Sequence, residues 1–362
     1  MKIALVGSTL FGRGAEFVLA ALAKGLSRRG HRVDVIVTKY HTDFAHAHPK
    51  MKPFDIGEGP QLLITRARRA RYAFLELRRL FVRGGYDVVI CQAATMAVPS
   101  VVASLGLRHK LVCVRHSGCV GVDGHGTSVK PSRRFSEQII DRLMRRLDAQ
   151  FAVSRGTALD VHRMSGYPLE KIHVVNNPVF EEWHEIEKKK SAIPIVMSAG
   201  ALCELKHYDL LIRAFSIVRK NRPCVLKIFG EGDKRNELEE LAHSLGIDDS
   251  VVFPGFTNDL KSELACASCF AISSYVESFC IVLVEALAAG VPVVSVDCPY
   301  GPREILQDGR NGLLVENNDA VALARGIERV LDGKGIQPTR EMVAPYSFDA
   351  VAEQYEKELL KL

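Results

Sequence analysis

Lys2-Ile-Ala-Leu-Val-Gly7 is a short apolar run that ends in glycine, and Val33-Asp-Val-Ile-Val37 is a second apolar run further along the chain. Between them, Leu19, Leu22 and Leu26 have the spacing of one face of a helix. Two strands joined through a helix lie parallel in one sheet, so this stretch predicts a strand–loop–helix–strand unit of an α/β protein.

The same alternation of strands and helices continues along the chain. Helices are expected between the strands, for example over residues 209–221 and 236–245. The further predicted strands cover residues 86–91, 111–115, 150–154, 172–175, 193–199, 225–230, 251–253, 269–273 and 291–296. The expected fold is therefore α/β, with two Rossmann-like doubly wound domains that face each other across a cleft.

The charged segment Glu181–Lys190 lacks strand character and separates the two series of strands. We therefore expect an N-terminal domain over residues 1–180, a linker over 181–192 and a C-terminal domain over 193–346. Ser347 and Asp349 fit the start of a C-terminal helix over residues 347–362, which can pack back on the N-terminal domain.

Charge is distributed unevenly between the two halves. Residues 1–180 carry 28 Lys and Arg against 13 Asp and Glu, whereas the remainder carries 20 against 29. So basic an N-terminal half suits an anionic partner. Arginines and apolar residues alternate along Arg66–Arg83 and Arg133–Arg146, which fits either a helix on an anionic membrane surface or an ordinary surface helix. Nucleic acid is disfavoured because no DNA- or RNA-binding motif accompanies the charge.

Cysteine usage and hydropathy indicate the compartment. The nine cysteines include a single C-x-x-C, at Cys266 and Cys269, rather than the two such motifs of a zinc site, and several lie in apolar segments, as in proteins of a reducing compartment. The first apolar run is too short for a signal sequence, and no run of about 18 uncharged apolar residues is present. We expect a cytoplasmic protein, peripheral on the inner face of the cytoplasmic membrane if its basic surface binds lipid.

The strongest local pattern in the chain is Ser273-Ser-Tyr-Val-Glu277-Ser-Phe-Cys280, followed by an apolar helix that contains Glu285 and ends at Gly290. A helix N-terminus presents free N–H groups and a positive dipole, which suit a diphosphate. Glu285 in an apolar helix needs hydroxyl partners, such as a ribose diol. Taken singly, Glu277 could be an ordinary loop carboxylate and Glu285 an exposed helical residue.

The spacing of Glu277 and Glu285 resembles the Glu-x7-Glu signature of family 4 glycosyltransferases, which are retaining enzymes of the GT-B fold. Other stretches resemble the same family in the same order along nearly the whole chain. They are 12–16, 115–117, 152–154, 177–178, 229–233, 252–256, 297–305 and 308–315. The resemblance implies transfer of a hexose or N-acetylhexosamine from a UDP-linked sugar, bound by the C-terminal domain, to a hydroxyl acceptor on the side of the N-terminal domain. Because the basic charge lies in that acceptor-side domain, we expect the acceptor to be a lipid-linked, polysaccharide or lipopolysaccharide precursor.

The resemblance also assigns roles to individual residues. It implies that Glu277 and His116 contact the transferred sugar, that Lys206 neutralises the diphosphate and that Glu285 binds the ribose hydroxyls. Further donor-binding residues are expected at Gly14, Ser278, Phe279, Cys280, Gly230, Gly232 and Arg303.

Three residues depart from the family pattern, and the mildest departure is Ser278, which stands where glycine is common. Ala201 stands where the family has an arginine that binds phosphate, and Arg303 or Arg13 could replace that cation. Cys280 stands where a glycine is usual, so it adds a side chain beside the donor.

No metal or other cofactor is expected. The histidine-rich segments 41–48 and 116–125 lack zinc-ligand spacing, and the chain has no Asp-x-Asp motif. The resemblance therefore implies metal-independent transfer.

The sequence also bears on three alternatives to a glycosyltransferase. A nucleotide-sugar 2-epimerase shares the fold, and a non-catalytic nucleotide-sugar-binding subunit would tolerate Ala201 and Cys280. An oxidoreductase is disfavoured because residues 7–14 do not have the G-x-G-x-x-G spacing of dinucleotide-binding proteins.

Overall fold

The computed structural model divides the chain into two compact units. Unit 1 consists of residues 1–120, 130–181 and 346–362, and unit 2 of residues 121–129 and 182–345. Within them the structure describes residues 1–7, 9–10, 14–37, 39–40, 53–55, 66–92, 94–116, 121–122, 128–129, 142–183, 187, 189 and 191–362.

Unit 1 contains a seven-stranded sheet in which all pairings are parallel. Its strands are β1 (Lys2–Val6), β2 (Arg32–Val37), β3 (Pro53–Asp55), β4 (Val88–Cys91), β5 (Lys110–Arg115), β6 (Ala149–Ala152) and β7 (Ile172–Val174). Its described helices before residue 180 are α1 (Ala15–Arg28), α2 (Arg66–Gly84), α3 (Ala94–Ala103) and α4 (Arg155–Ser165). The order β3-β2-β1-β4-β5-β6-β7 changes direction between β1 and β4, so the sheet is doubly wound.

Unit 2 repeats this architecture with a six-stranded parallel sheet. Its strands are β8 (Ile195–Ala199), β9 (Val225–Phe229), β10 (Val251–Gly255), β11 (Cys269–Ile272), β12 (Val293–Val296) and β13 (Leu313–Val315). Its helices are α5 (Tyr208–Asn221), α6 (Arg235–Ser244), α7 (Leu260–Leu264), α8 (Ile281–Ala288), α9 (Gly301–Ile305), α10 (Ala320–Arg329) and α11 (Arg340–Val343). The order β10-β9-β8-β11-β12-β13 places the switch point between β8 and β11.

Two small ladders lie outside the main sheets. Residues 9–10 pair in parallel with residues 39–40, and residues 121–122 pair antiparallel with residues 128–129.

The C-terminal helix α12 (Phe348–Leu359) belongs to unit 1 and lies on α1. The hydroxyl of Ser347 caps its first turn by accepting the Ala350 N–H at 3.2 Å. The Tyr355 ring packs edge-on against Phe151 of β6, with 5.2 Å between ring centroids. The end of the chain is therefore fixed to the first sheet through buried aromatic contacts.

The expected α/β fold with two doubly wound sheets is confirmed. The strands that the sequence predicts are present, with ends that differ by at most two residues. The short strands β3 and β13 were not expected.

Helix α2 contains the whole basic stretch 66–83, and the structure describes its side chains from Phe74 onward. Leu77 and Phe81 are buried in the core of unit 1, as expected of an ordinary surface helix. Arg78 donates hydrogen bonds to the carbonyls of Ala103 and Leu105, at the end of α3. Most of the second basic stretch, residues 131–141, lies outside the described residues. In the described part of the chain, no helix combines the length and apolar character needed to cross a membrane.

Candidate active site

Lys206 and Glu277 meet at the switch point of unit 2. Lys206 lies in the loop after β8 and Glu277 in the loop after β11, the two strands between which the sheet changes direction. The Nζ of Lys206 donates to Oε1 of Glu277 at 2.5 Å, and the two side chains are 24% and 11% exposed. Burial alone would lower the pKa of Lys206, but the charge of Glu277 outweighs it and raises this pKa. Lys206 therefore remains a cation at neutral pH.

Two serines at the end of β11 hold this pair in place. The hydroxyl of Ser274 donates to the same Oε1 of Glu277 at 2.9 Å. The hydroxyl of Ser273 donates to the backbone carbonyl of Lys206 at 2.9 Å. Both serines are buried, so these bonds also satisfy polar groups that would otherwise be costly.

The backbone of Glu277 is fixed by the loop after β12. Its N–H donates to the Pro299 carbonyl at 2.7 Å, and its carbonyl accepts the Gly301 N–H at 2.8 Å. A Cβ at Gly301 would lie 2.2 Å from the carbonyl oxygen of Phe279, so only glycine permits this close contact. The carboxylate of Glu277 is thus oriented by both of its neighbouring loops.

Helix α8 starts immediately after this loop. Cys280, at the N-cap, has left-handed backbone angles (φ 78°, ψ 71°) and makes no side-chain cap. The side chains of Phe279 and Cys280 are buried, whereas Ser278 is half-buried. Burial raises the pKa of the Cys280 thiol well above its ordinary value, so it remains neutral. The first turn of α8 leaves N–H groups unbonded within the helix, as every helix start does, and these are donors for an anion.

Glu285 lies in the second turn of α8, four residues after its first residue, Ile281. Burial raises its pKa from 4.5 to about 7. Among the described residues, no side chain or backbone group forms a hydrogen bond or ion pair with its carboxylate. A partly buried carboxyl without a partner can accept hydrogen bonds from a ligand's hydroxyl groups.

Gly230 and Gly232 form the turn between β9 and α6. A Cβ at Gly230 would lie 1.9 Å from the carbonyl oxygen of Gly200, and one at Gly232 would lie 2.1 Å from that of Leu202. The turn is bonded to the same segment, since Leu202 N–H donates to the Glu231 carbonyl at 2.9 Å. These glycines therefore support the loop that carries Lys206, and their expected contact with a donor remains a prediction.

Arg303 is already paired within unit 2. Its guanidinium binds Asp297 through two nitrogens, with Nε at 2.9 Å from Oδ1, and a third nitrogen lies 3.0 Å from Asp308. The pKa of Arg303 is raised, and its hydrogen bonds to Asp297 are the largest cause. It is therefore less available to replace the cation missing at Ala201 than the sequence suggested. Arg13 lies outside the described residues.

In unit 1, His116 follows β5 and Gln92 follows the neighbouring strand β4. The imidazole Nε2 of His116 lies 2.8 Å from Oε1 of Gln92, and Asn177 also hydrogen-bonds to this histidine. Burial lowers the pKa of His116 to about 4, so its ring is neutral at physiological pH. Gly14 is exposed at the start of α1, with φ 50°.

Ser273, Ser274 and Gln92 orient the expected site residues, and none of the three was assigned a role from the sequence. Each is a polar residue immediately after a buried strand, and that position was the available signal. The histidine-rich segment 41–48 and residues 117–120 and 123–127 lie outside the described residues. In the remainder, no three His, Cys, Asp or Glu side chains come together in a way that could hold a metal ion.

Comparison with known proteins identifies the family. The profile described as Glycosyltransferase Family 4 matches residues 12–183, and that described as Glycosyl transferases group 1 matches residues 179–348. A lipopolysaccharide core biosynthesis glycosyltransferase of Rhizobium meliloti is 34% identical over 45% of this chain and 48% of its own length. The chain thus spans about half the length of this relative.

Other similarities cover the whole chain. An α-1,4-N-acetyl-D-galactosaminyltransferase of Campylobacter jejuni, which acts on an undecaprenol-diphosphate-linked glycan, is 27% identical over 93% of this chain and 90% of its own length. The structure of HepE from Anabaena with UDP and glucose superposes with a TM-score of 0.80, at 19% identity and 100% coverage of both chains. The fold is thus that of the GT-B glycosyltransferases. Because the two family profiles together match residues 12–348, the chain belongs to the family 4 glycosyltransferases.

Proposed function

We propose that this protein is a retaining glycosyltransferase that moves a hexose or N-acetylhexosamine from a UDP sugar to a hydroxyl acceptor. The observation that carries the proposal is the Lys206–Glu277 ion pair at the switch point of unit 2, beside the N-terminus of α8. Parallel α/β sheets bind ligands at this position. The solved HepE structure with UDP and glucose, which has the same fold, supports a uridine nucleotide as the donor's carrier.

The donor's groups match three features of unit 2. The diphosphate would receive hydrogen bonds from the first turn of α8 and charge from Lys206. The ribose hydroxyls would donate to the Glu285 carboxylate, which has no partner among the described residues. Glu277 would then face the transferred sugar, with its orientation set by Ser274 and the loop after β12.

The chemical step needs charge stabilisation more than a protein nucleophile. The acceptor oxygen would bond to the anomeric carbon on the face from which the diphosphate departs, so that configuration is retained. The bond from that carbon to the phosphate oxygen would break, and the departing phosphate oxygen would take the proton of the acceptor hydroxyl. Lys206 would offset the charge that develops on the diphosphate. No metal is required in this proposal.

His116 is proposed to contact the transferred sugar from unit 1. Its neutral imidazole, held by Gln92 and Asn177, can exchange hydrogen bonds with sugar hydroxyls without adding charge. Gly14 lies at the exposed start of α1. It is proposed to lie near the donor, because the free N–H groups at a helix N-terminus can bind phosphate.

We further propose that the acceptor is a lipid-linked or polysaccharide precursor. The Campylobacter and Rhizobium relatives, which act on an undecaprenol-linked glycan and in lipopolysaccharide core biosynthesis, support this class of acceptor. The excess of basic residues in the first half of the chain would favour an anionic acceptor or membrane.

One side of α2 suits contact with such a membrane. Leu75 and Val82 are 49% and 58% exposed, and the exposed residues Arg79 and Arg83 lie within the same helical repeat. Mixed arginine and aliphatic side chains of this kind bind anionic interfaces. Sedimentation with phosphatidylglycerol and phosphatidylcholine vesicles tests the proposal. Binding should require the anionic lipid and weaken in Arg79→Glu/Arg83→Glu, and binding indifferent to lipid charge would contradict it.

A ligand panel followed by transfer assays tests the main proposal. UDP-, GDP- and ADP-sugars are compared by thermal shift, and the best binder is offered to lipid-linked and soluble glycan acceptors. We expect a UDP sugar to raise the melting temperature most, and an α-linked donor to give an α-linked product by NMR. An inverted anomer, or conversion of the free donor without an acceptor, would contradict the proposal.

A further inference from the structure

The residue that follows Lys206 has an unfavourable backbone conformation. His207 has φ 50° and ψ 44°, in the left-handed region that side chains with a Cβ rarely adopt. It links the short 3-10 turn Glu204–Lys206 to α5, a position where glycine would fit without strain. Its side chain is 8% exposed, so a whole imidazole is buried beside the site. A contact made by the buried ring would account for the presence of a histidine at this position.

The ring of His207 stacks on the ring of Tyr275. Their centroids are 3.7 Å apart and their planes differ by 12°. Tyr275 belongs to the loop after β11, two residues before Glu277, whereas His207 belongs to the loop after β8. Face-to-face packing at this distance leaves little freedom for one loop to slide past the other.

Backbone bonds reinforce the same junction. The Tyr275 N–H donates to the Leu205 carbonyl at 3.0 Å, and the Ser273 hydroxyl donates to the Lys206 carbonyl at 2.9 Å. Residues 205–207 are therefore joined to residues 273–275 by two hydrogen bonds and one ring stack. Lys206 lies within the first of these segments, and Glu277 follows the second by two residues.

We propose that His207 and Tyr275 are positioning residues, a clamp that fixes the distance between the Lys206 ammonium and the Glu277 carboxylate. The inference rests on the proposed transferase function of that pair. Other groups near the His207 ring do not explain its position equally well. Its Nε2 lies 3.6 Å from the exposed Asp209 carboxylate, and its buried Nδ1 has no partner among the described residues. The ring's main contact is thus the tyrosine.

Three single variants separate the ring stack from other effects. His207→Gly removes the imidazole while keeping the backbone angles accessible, and Tyr275→Ala removes the second ring without touching residue 207. Tyr275→Phe is the matched control, because it keeps the ring. We expect the first two to lower kcat about tenfold or more, with a smaller change in the donor KM, since small misplacements of catalytic groups are costly. Tyr275→Phe should stay within about twofold, as its packing is conserved.

A cycle with Lys206→Ala tests whether the effect passes through that lysine. If the clamp positions Lys206, His207→Gly should lower kcat by less than about twofold in the Lys206→Ala background. An undiminished loss in that background, or the parental kcat in both His207→Gly and Tyr275→Ala, would overturn the inference.

Amide hydrogen exchange tests the clamp without any substrate. In His207→Gly, exchange should accelerate in residues 203–208 and also in residues 273–279, while the strands of unit 2 remain protected. Unchanged exchange in residues 273–279 would overturn the inference even if activity is lost. A parent protein that transfers no sugar from any nucleotide sugar would instead refute the proposed function. The exchange result would still show whether His207 and Tyr275 hold the two segments together.

Discussion

The ammonium of Lys206 lies 2.5 Å from the carboxylate of Glu277, although 71 positions separate the two residues in the chain. Both side chains are largely buried, so neither charge is well solvated on its own. Removing one partner leaves the other as an uncompensated charge. The ion pair can therefore be tested by stability as well as by catalysis.

Lys206→Met should lower the free energy of unfolding by about 1–3 kcal/mol, because Glu277 then remains buried and unpaired. Adding Glu277→Gln should restore part of that loss, since the double variant contains no buried charge at this position. Urea unfolding at pH 7.5 measures both effects. Lys220→Met, an exposed substitution at the end of α5, is the control and should stay within about 0.5 kcal/mol of the parent. A double variant less stable than either single variant would contradict the pairing.

Lys206→Ala should mainly slow transfer, by about a hundredfold, because the charge of the leaving diphosphate is then poorly stabilised. Donor affinity should change less, since the N–H groups of α8 remain available. Steady-state kinetics together with equilibrium binding of UDP separate the two effects. Parental kcat in Lys206→Ala would exclude this lysine from the reaction, with Lys220→Ala as the matched control.

The sequence allowed prediction of the two sheets because parallel strands are buried on both faces and give continuous apolar runs. It also located Lys206 and Glu277 at strand ends, where site residues of α/β proteins lie. Their mutual contact depends on β8 and β11 being neighbours, and strand order is a long-range property that local pattern does not contain. The ion pairs of Arg303 were likewise missed, because they depend on how α9 turns its side chain toward Asp297.

The glycines show a second limit. Gly230 and Gly232 were expected to contact the donor, which stays a prediction, and the structure shows that a close contact with the backbone of residues 200–202 also requires glycine at both positions. A glycine in a sequence indicates close approach, but the approaching group can be protein backbone as well as ligand. Cys280 has the backbone angles of a glycine without being one, and no local pattern predicts that.

Glu285 should make stability depend on pH. Its pKa is about 7 in the folded protein and 4.5 ordinarily, so between these values the folded state holds a proton that the unfolded chain has released. The stability that the neutral carboxyl contributes is present below pH 4.5 and is lost as pH rises through 7. The loss is at most about 3 kcal/mol. Glu285→Gln should therefore be more stable than the parent at pH 8 and similar to it at pH 4.5, as measured by urea unfolding.

The same carboxyl gives a signature of donor binding. If ribose hydroxyls donate to ionised Glu285, binding lowers its pKa and releases up to about half a proton per UDP at pH 7. Calorimetry in buffers of different ionisation enthalpy measures this number. Glu285→Gln should release none from this position, and Glu285→Ala should bind UDP more weakly. Equal proton release by the parent and Glu285→Gln would place the ribose elsewhere.

His116 should affect stability in the opposite direction. Its pKa is lowered from 6.5 to about 4 in the folded protein. Between these pH values the unfolded chain binds a proton that the folded state does not bind. Stability is therefore lost as pH falls from 6.5 toward 4. His116→Gln should remove about 2 kcal/mol of the difference between pH 7.5 and pH 5. His243→Gln, whose side chain is 82% exposed, is the control and should keep the parental pH dependence.

Gly25 of α1 lies where α12 crosses it. A Cβ at this position would lie 2.6 Å from the Phe348 carbonyl oxygen and 2.9 Å from the Ala352 Cβ. In an isolated helix, Gly→Ala stabilises by about 1 kcal/mol, but here the added methyl must push the two helices apart. Gly25→Ala should therefore lower the free energy of unfolding by about 1–3 kcal/mol in urea. Lys24→Ala, which removes only a surface ion pair with Glu181, should cost less than about 1 kcal/mol. A stabilising Gly25→Ala would mean that the C-terminal helix does not pack closely against α1.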